Sequence, residues 1–299
     1  MLNSDSRLTV TIMKSAYDPL IALHYGRAGI APLFCIAGAG AGVNSFLAFK
    51  TRLPEDLPLL GLQARGLDGV SHPFSSVEAA ARAYRNAVCR VWPSGPYRIV
   101  GHSFGGWVAF ELAGLLGAAG YEVEALFLVD SEVPHAPGTT APRITRAGAL
   151  QRMVLRYNQL LRSTMSLSSG DFARLDEDAQ VMLLEAELVK AGVLPKSAPS
   201  GLLRGPVAVY ERNVRTTYHP GKIFDGTLWL VNAAEADDDV ETRVYGWRRH
   251  ATVVRFTTIP GNHMTMLLGK KGAHLGEWIG RMLERRSADD ELSSTASPP

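Results

Sequence analysis

The stretch YRIVGHSFGGWVAFELAGLL, residues 97–116, places a serine between glycines at the junction of two kinds of segment. A short apolar run with β-branched residues comes first and a helix-forming run follows, which predicts a buried strand, a sharp turn and a helix. Gly101 and Gly105 lie two residues before and two residues after Ser103. In such a turn the serine has a strained backbone, and side chains at these two positions would collide with neighbouring backbone. The pattern predicts a nucleophilic serine whose hydroxyl projects from the turn.

The composition narrows the class of protein. The chain has 299 residues, 46% of them hydrophobic, which suits one large domain with an insertion. Its 31 basic and 29 acidic residues give a formal net charge of +2, so net charge does not favour nucleic-acid binding. Cys35 and Cys89 have neither C-x-x-C spacing nor a histidine cluster nearby, so we expect no disulfide framework and no metal site. Without a signal-like or bilayer-spanning apolar run, we expect a soluble, cytoplasmic protein with no membrane partner.

Short apolar runs bounded by Gly, Pro or polar residues recur along the chain and are typical of buried parallel strands. Helical patterns separate them, which predicts an α/β fold with a mostly parallel central sheet flanked by helices. The predicted strands are residues 31–38, 57–64, 96–103, 123–130, 226–233 and 252–261. The predicted helices are residues 44–52, 75–92, 104–118, 239–249 and 265–285.

Residues 131–218 interrupt this alternation with apolar residues at helical spacing. The first predicted helix of this stretch carries on one face Leu150, Met153, Val154, Tyr157, Leu160 and Leu161. Two more helices are predicted over about 171–191 and 206–217. A helical insertion in a parallel sheet usually covers the carboxyl ends of the strands, so we expect a helical lid, with additional core as the alternative.

The same patterns divide the chain into three parts. Residues 1–18 are expected to form an N-terminal extension, and residues 19–285 the folded domain that contains the insertion. Residues 286–299 are polar and are expected to be a disordered tail.

A serine hydroxyl reacts only when a base takes its proton, and the base must be oriented by an acidic group. After this kind of turn, the acid is expected first along the chain and the histidine base second. His263 comes directly after the last predicted strand, on a loop that reaches back over the sheet, so it is the candidate base. His250 precedes a strand and His274 lies in or beside the last helix, where a surface role is expected.

For the acid, spacing alone leaves two loops open. Asp130 ends the strand that follows the serine helix, where a buried carboxylate without a partner would be costly. After the next strand come four acidic residues, Glu235, Asp237, Asp238 and Asp239, in a stretch typical of a solvated loop and helix start. Either loop could present a carboxylate to His263.

The developing oxyanion requires backbone N–H donors, of which Phe104, directly after the serine, supplies one. The loop IAGAGAG, residues 36–42, is expected to supply the other. Its glycines could instead belong to a dinucleotide fingerprint. However, Val43 follows them, and no acidic residue ends the next strand near Gln63, so we expect no nucleotide cofactor.

Together these motifs resemble the thioesterase domains of nonribosomal peptide and polyketide synthases, which have the α/β-hydrolase fold. The resemblance covers nearly the whole chain. It runs through DPLIALHYGRAGIAPLFCIAGAGAG (18–42), WPSGPYRIVGHSFGGWVAFELAGLL (92–116), VEALFLVDSEVP (123–134), YHPGKIFDGTLWLVNAAE (218–235) and IPGNHMTML (259–267). It implies Ser103 as acyl acceptor, His263 as base and Asp130 as acid. It also implies the backbone of Ala39 and Phe104 as oxyanion hole, and residues 131–218 as the family's helical lid.

Three positions depart from the family's usual pattern. Ala37 and Ala41 stand where the oxyanion loop often has Pro and Gly, and Asn262 stands where an Asp commonly precedes the histidine. These departures bear on the loop geometry, and so on the assignment of Ala39.

The resemblance implies that an acyl or peptidyl chain is taken from a phosphopantetheinyl carrier protein and released by hydrolysis or macrocyclisation. No cofactor is expected beyond the phosphopantetheine that carries the substrate. No G-x-D-S-L-type attachment site precedes the domain, so the carrier protein is expected as a partner, and the motifs favour a terminal domain over a stand-alone enzyme. Basic residues of the insertion that could contact an acidic carrier are Arg143, Arg146, Arg152, Arg156 and Arg162. The alternatives are a carboxylesterase or lipase acting on free esters, and a non-catalytic binding scaffold.

Overall fold

The structure, a computed structural model, describes residues 17–161, 165–236 and 239–295, with side chains of the last helix described to Arg285. Seven strands form one sheet in the order β1-β3-β2-β4-β5-β6-β7. They are β1 (Leu20–His24), β2 (Leu33–Ile36), β3 (Leu59–Leu62), β4 (Tyr97–His102), β5 (Val123–Val129), β6 (Phe224–Ala233) and β7 (Ala251–Ile259). β1 runs antiparallel to β3, and the other neighbouring pairs are parallel. The predicted mostly parallel sheet is confirmed.

Helices cover both faces of the sheet. They are α1 (Leu47–Lys50), α2 (Val77–Val91), α3 (Phe104–Gly117), α4 (Arg146–Leu161), α5 (Ser169–Ala173), α6 (Glu177–Lys190), α7 (Arg204–Val214), α8 (Val240–Trp247) and α9 (Gly269–Thr295). A short 3-10 turn over Val43–Phe46 precedes α1. One hydrophobic cluster joins the sheet to α2, α3 and α8, and a second joins the opposite face to α1 and α9.

The helix after the serine is apolar on nearly all sides, as expected of a helix enclosed by other elements. Its residues Val108, Leu112 and Leu116 are buried against the sheet and α2. α2 is amphipathic and is capped by Ser76, whose hydroxyl accepts a hydrogen bond from the Ala79 N–H at 3.2 Å. The paired helices hold the start of α3 at the carboxyl end of β4.

The insertion between β5 and β6 forms a hydrophobic cluster of its own, contributed by α4, α5, α6 and α7. The described residues of 131–218 contain no strand. The helix predicted over 171–191 is interrupted, because Asp176 caps the start of α6 and accepts a hydrogen bond from the Ala179 N–H at 2.8 Å. α7 lies against the oxyanion loop, since a Cβ on Gly40 would come within 2.7 Å of the Pro206 carbonyl oxygen. The insertion therefore covers this loop.

One strand and the end of one helix differ from the sequence prediction. β1 was not predicted, because it is a half-exposed edge strand without a continuous buried run. α9 continues to Thr295, whereas residues 286–299 were expected to be a disordered tail; Ala, Glu, Leu and Arg in this stretch are good helix formers. Residues 296–299 and residues 1–16 of the predicted extension lie outside the described residues. None of the described helices has the length and apolarity required to cross a membrane.

Candidate active site

Ser103 occupies the turn between β4 and α3 in a left-handed backbone conformation, with φ +55° and ψ −126°. Three hydrogen bonds hold its backbone. Its N–H donates to the Val129 carbonyl at 2.8 Å, and its carbonyl accepts from the Gly106 N–H at 2.9 Å. The same carbonyl accepts from the Ser131 hydroxyl at 2.9 Å. The strained conformation is thus fixed by the neighbouring strand and by the first turn of α3.

The glycines around the serine are required by close backbone contacts. A Cβ on Gly101 would lie 2.3 Å from the Gly105 carbonyl oxygen, and a Cβ on Gly105 would lie 2.4 Å from the Ala37 carbonyl oxygen. A Cβ on Gly106 would lie 1.8 Å from the Ser131 hydroxyl oxygen and 2.7 Å from the Ser131 Cβ. The spacing of glycines in the sequence therefore reflects how closely the turn, the oxyanion loop and β5 approach one another.

Asp130 and His263 come together although 133 residues separate them in the chain. His263 Nδ1 lies 2.7 Å from Asp130 Oδ2. Asp130 Oδ1 accepts hydrogen bonds from the Ala233 N–H at 3.2 Å and from Arg243 Nη1 at 2.5 Å. Asp130 has φ +47° and is only 3% exposed, so several partners fix its position and satisfy its charge.

The electrostatic environment keeps Asp130 ionised. Burial by itself would raise the pKa of this carboxyl group. The hydrogen bond from His263 and the charges of His263 and Arg243 outweigh burial, and they hold the pKa of Asp130 well below its ordinary value. Because Nδ1 of His263 donates to this carboxylate, Nε2 is the nitrogen that remains free to accept a proton.

His102, directly before the serine, contacts His263 in two ways. Its Nε2 lies 3.1 Å from the His263 carbonyl oxygen, and the two imidazole rings lie 4.9 Å apart, tilted by 35°. Burial, followed by the charge of His263, lowers the pKa of His102 to about 3. His102 is therefore a neutral ring that donates from Nε2 and fixes the loop that carries His263.

Ser103 directly follows His102 in the chain, so it lies beside the pair formed by His102 and His263. Within the described ranges, no hydrogen bond joins the Ser103 hydroxyl to His263. In resting hydrolytic sites such contacts are often long and tighten when a substrate binds.

The other candidate acids and histidines have other contacts. Glu235 is half-exposed and forms an ion pair with Lys271 at 3.2 Å. Asp239 caps α8, while Asp237 and Asp238 lie outside the described residues. His250 packs among aromatic rings, with the Trp247 ring centroid 6.1 Å away, and His274 is exposed on α9. Of the described candidates, Asp130 and His263 are the acid and the base that meet.

The two expected oxyanion donors belong to the start of α3 and to the loop after β2. Phe104 begins α3, so its N–H has no acceptor within the helix. Gly38 to Ala41 form a turn closed by a 3.1 Å hydrogen bond, with Gly40 at φ +68° in the third position. The N–H of Ala39 in this turn donates to no other described residue. Gly38 allows the turn to approach Ser103, because a Cβ there would lie 3.1 Å from the serine Cβ.

Asn262 supports the loop that carries His263. Its Oδ1 accepts hydrogen bonds from the Met264 N–H at 3.1 Å, from the Thr265 N–H at 3.0 Å and from the Thr265 hydroxyl at 2.9 Å. An amide oxygen makes these contacts as a carboxylate oxygen would, so the asparagine preserves the local turn.

The described basic residues named as candidate carrier contacts differ in their exposure. Arg146 is directed inward, where it pairs with Glu211 at 2.6 Å and donates to Gln180 at 2.9 Å. Arg143 and Arg152 are exposed, Arg156 is half-buried, and Arg162 lies outside the described residues. Arg146 is thus part of the insertion's own structure.

Three residues of the site were missed by the sequence analysis: His102, Ser131 and Arg243. His102 is the variable position of the G-x-S-x-G motif, and Ser131 directly follows the acid, so both could have been suspected from their positions. Arg243 carries no such signal, because a buried arginine on a short helix has the same sequence pattern as an exposed one.

The family model "Thioesterase domain" matches residues 31–281. Microperfuranone synthase of Emericella nidulans is 35% identical over 263 residues, which is 85% of this chain and 28% of that protein. Chondramide synthase of Chondromyces crocatus is 27% identical over 277 residues, which is 90% of this chain and 7% of that protein. The chain thus spans less than a third of the length of either relative.

Solved structures share the fold. A four-domain nonribosomal peptide synthetase, AB3403, matches with a TM-score of 0.77 at 21% identity over 89% of this chain and 20% of that one. The type II thioesterase BorB matches with a TM-score of 0.64 at 18% identity over 91% of this chain and 99% of that one. The architecture is that of the α/β-hydrolase fold, and with the family model spanning residues 31–281, the chain belongs to the thioesterase-domain family.

Proposed function

We propose that the protein takes an acyl or peptidyl chain from the phosphopantetheinyl arm of a carrier protein onto Ser103 and then releases it. The observation that carries this proposal is the 2.7 Å contact between His263 Nδ1 and Asp130 beside a serine held at φ +55°. Membership of the thioesterase family, and the synthases among the relatives, support a carrier-bound thioester as the substrate.

The first half of the reaction forms an acyl-enzyme. The Ser103 hydroxyl attacks the thioester carbonyl while His263 Nε2 accepts its proton, and Asp130 stabilises the resulting imidazolium. The N–H groups of Phe104 and Ala39 hold the oxyanion of the tetrahedral intermediate, each contributing on the order of 3 kcal/mol to barrier reduction. Collapse of the intermediate breaks the carbon–sulfur bond, and His263 returns the proton to the leaving thiolate.

In the second half, a new nucleophile attacks the ester on Ser103, and His263 removes its proton. Water yields the free acid, and a hydroxyl or amine within the acyl chain yields a lactone or lactam. His263 then returns the proton to the Ser103 oxygen, which restores the enzyme. Arg243 keeps Asp130 charged throughout the cycle.

The test compares one acyl group in three forms: on a carrier protein, as an N-acetylcysteamine thioester and as an ethyl ester. We expect kcat/KM to fall in that order, with activity lost in Ser103→Ala. A faster reaction with the ethyl ester would indicate a carboxylesterase. Failure of the folded protein to turn over any form or to react with a fluorophosphonate would indicate a binding scaffold.

A further inference from the structure

A pocket that is open to solvent lies beside the turn that carries Ser103. Its lining includes Gly38 of the oxyanion loop, Phe104 directly after the serine, and Val209 of α7. Phe104 also belongs to the expected oxyanion site. An acyl chain bound in this pocket would therefore extend from a thioester carbonyl placed at Ser103. The enclosed space of the pocket is about 30 Å³, so a bound chain would lie largely in the part of the pocket that is open to solvent.

Most of this lining is apolar or aromatic, but Arg65 brings a positive charge to it. Among the lining residues that the structure describes, it is the one with an ionic side chain. Its Nε donates to the His72 carbonyl oxygen at 2.8 Å, and its guanidinium carbon lies 4.3 Å from the centre of the Phe74 ring. These two contacts hold the guanidinium in place by its Nε edge and one face.

No described carboxylate lies within 4.0 Å of Arg65, in contrast to three arginines of the insertion. Arg146 and Arg215 both pair with Glu211, and Arg204 pairs with Asp178. Arg65 is half-buried and so is only partly hydrated. A guanidinium in this situation offers its Nη N–H groups to a planar anion, and carboxylates match that geometry.

The other groups of the pocket fit the rest of such a ligand. Phe74, Val108 and Val209 provide apolar surface for a hydrocarbon chain or ring. Asn213 and Thr216 add polar groups where the insertion meets the pocket. The pocket therefore combines apolar walls with a single fixed cation.

We propose that Arg65 binds a carboxylate on the acyl chain, so that the preferred substrates are acyl thioesters with an apolar body and an anionic group away from the thioester. This inference rests on the proposed function and specifies the substrate class of the same site. The phosphate of the pantetheine arm is a second anion that could reach an arginine, and N-acetylcysteamine thioesters lack it.

The test uses N-acetylcysteamine monothioesters of straight-chain dicarboxylic acids with four to ten carbons, each beside its methyl ester. In the wild type, the free carboxylate should be favoured in kcat/KM by about 10- to 100-fold at the best-fitting length. Arg65→Gln should bring this ratio close to one and leave turnover of the methyl esters within about threefold. Arg65→Lys should keep part of the preference.

Arg249→Gln is the matched control, because Arg249 also lies over an aromatic ring, 5.1 Å from the centre of Tyr245, but is not in the pocket lining. It should leave the ratio unchanged. The inference is overturned if the wild type shows no preference at any length, or if Arg65→Gln slows acids and methyl esters equally. It is also overturned if the effect of Arg65→Gln appears only with carrier-bound substrates, since the arm phosphate would then be the anion.

A binding measurement separates this inference from the proposed function. Free dicarboxylates should slow fluorophosphonate labelling of Ser103 in the wild type but not in Arg65→Gln. If labelling occurs while every thioester remains intact, the proposed function fails, and protection by dicarboxylates still decides the role of Arg65. Equal protection of both proteins would contradict it.

Discussion

Residues 97–131 and residues 132–218 both contribute to the lining of the pocket beside Ser103, but different interactions hold them in place. At the end of β4, backbone hydrogen bonds and close glycine contacts fix Ser103 against β5 and the oxyanion loop. The insertion is stabilised by its own hydrophobic cluster and by ion pairs such as Arg146 with Glu211. The first region is fixed by backbone and the second mainly by side chains.

This difference implies that residues 97–131 determine the reaction at Ser103, whereas the insertion influences which substrate is bound. A backbone-fixed serine tolerates few changes, because a side chain added at Gly101, Gly105 or Gly106 would come below van der Waals distance of its neighbours. A helical insertion with a separate core can change its surface without displacing Ser103. We therefore expect substitutions in the first region to affect rate and folding, and substitutions in the insertion to affect local stability and substrate choice.

The largest expected effect is that of Asp130→Asn. An amide cannot stabilise the imidazolium of His263 and favours the wrong tautomer, so kcat should fall by about 10⁴-fold. Glu235→Gln is the control, because Glu235 lies on the neighbouring loop and is half-exposed; it should change kcat less than twofold. Steady-state kinetics with an N-acetylcysteamine thioester measure both. Retention of kcat within tenfold by a folded Asp130→Asn protein would contradict the assigned role.

The next effect compares the cluster that joins the sheet to α2, α3 and α8 with the cluster of the insertion, through the same substitution. Leu126 of β5 and Leu184 of α6 are both fully buried. Leu126→Ala should lower the free energy of unfolding by about 2–5 kcal/mol and speed amide exchange across the sheet. Leu184→Ala should mainly speed exchange in α4 to α7 and leave β4 and β5 protected. Hydrogen exchange read by mass spectrometry distinguishes the patterns, and uniform loss in both variants would mean that the clusters unfold as one.

Two glycines of α3 give a sharper comparison within one helix. Gly106→Ala should destabilise the protein by about 1–3 kcal/mol, because the new Cβ would overlap the Ser131 hydroxyl. Gly114→Ala meets nothing within 4 Å and should stabilise by up to about 1 kcal/mol. Urea unfolding measures both. Similar values for the two variants would show that the turn yields to the added methyl group.

The smallest effect concerns pH and His102. Burial lowers the pKa of His102 to about 3, below the ordinary value of 6.5, so the folded state disfavours its protonation. Its contribution to stability is complete above pH 6.5 and is lost as pH falls below it, by roughly 2 kcal/mol at pH 5. His102→Gln keeps a donor towards the His263 carbonyl but does not titrate.

The free energy of unfolding should therefore fall less between pH 7.5 and pH 5 in His102→Gln than in the wild type. His102→Phe, which also lacks the donor, should in addition lower kcat by loosening the His263 loop. Identical pH dependence of the wild type and the glutamine variant would mean that His102 is protonated in the fold.

Much of this arrangement could be predicted from the sequence, because glycine spacing and short apolar runs reflect local backbone constraints. The turn at Ser103, the parallel strands and the loop of His263 all belong to this class. The acid could not be chosen from spacing alone, since Asp130 and Glu235 follow neighbouring strands; the family resemblance pointed to Asp130. In the structure, the choice follows from His263, which contacts Asp130, while Glu235 pairs with Lys271.

Features that depend on distant side chains could not be predicted. Arg243 reaches Asp130 from a helix 113 residues further along the chain, and no local pattern distinguishes it from a solvated arginine. β1 escaped prediction because an edge strand needs only a half-buried face. Likewise, the position of Arg65 beside Phe74 becomes visible only when the loop after β3 is folded against α2.

The most direct test of the central claim is intact-mass spectrometry of the wild type and of Ser103→Ala after brief incubation with acyl N-acetylcysteamine thioesters. The account predicts a mass increase of one acyl group in the wild type, located on Ser103 by peptide mapping, followed by its loss as free acid or cyclic product. Ser103→Ala should gain no mass. An adduct on another residue, or an adduct of equal size in Ser103→Ala, would contradict the assignment of Ser103 as the nucleophile.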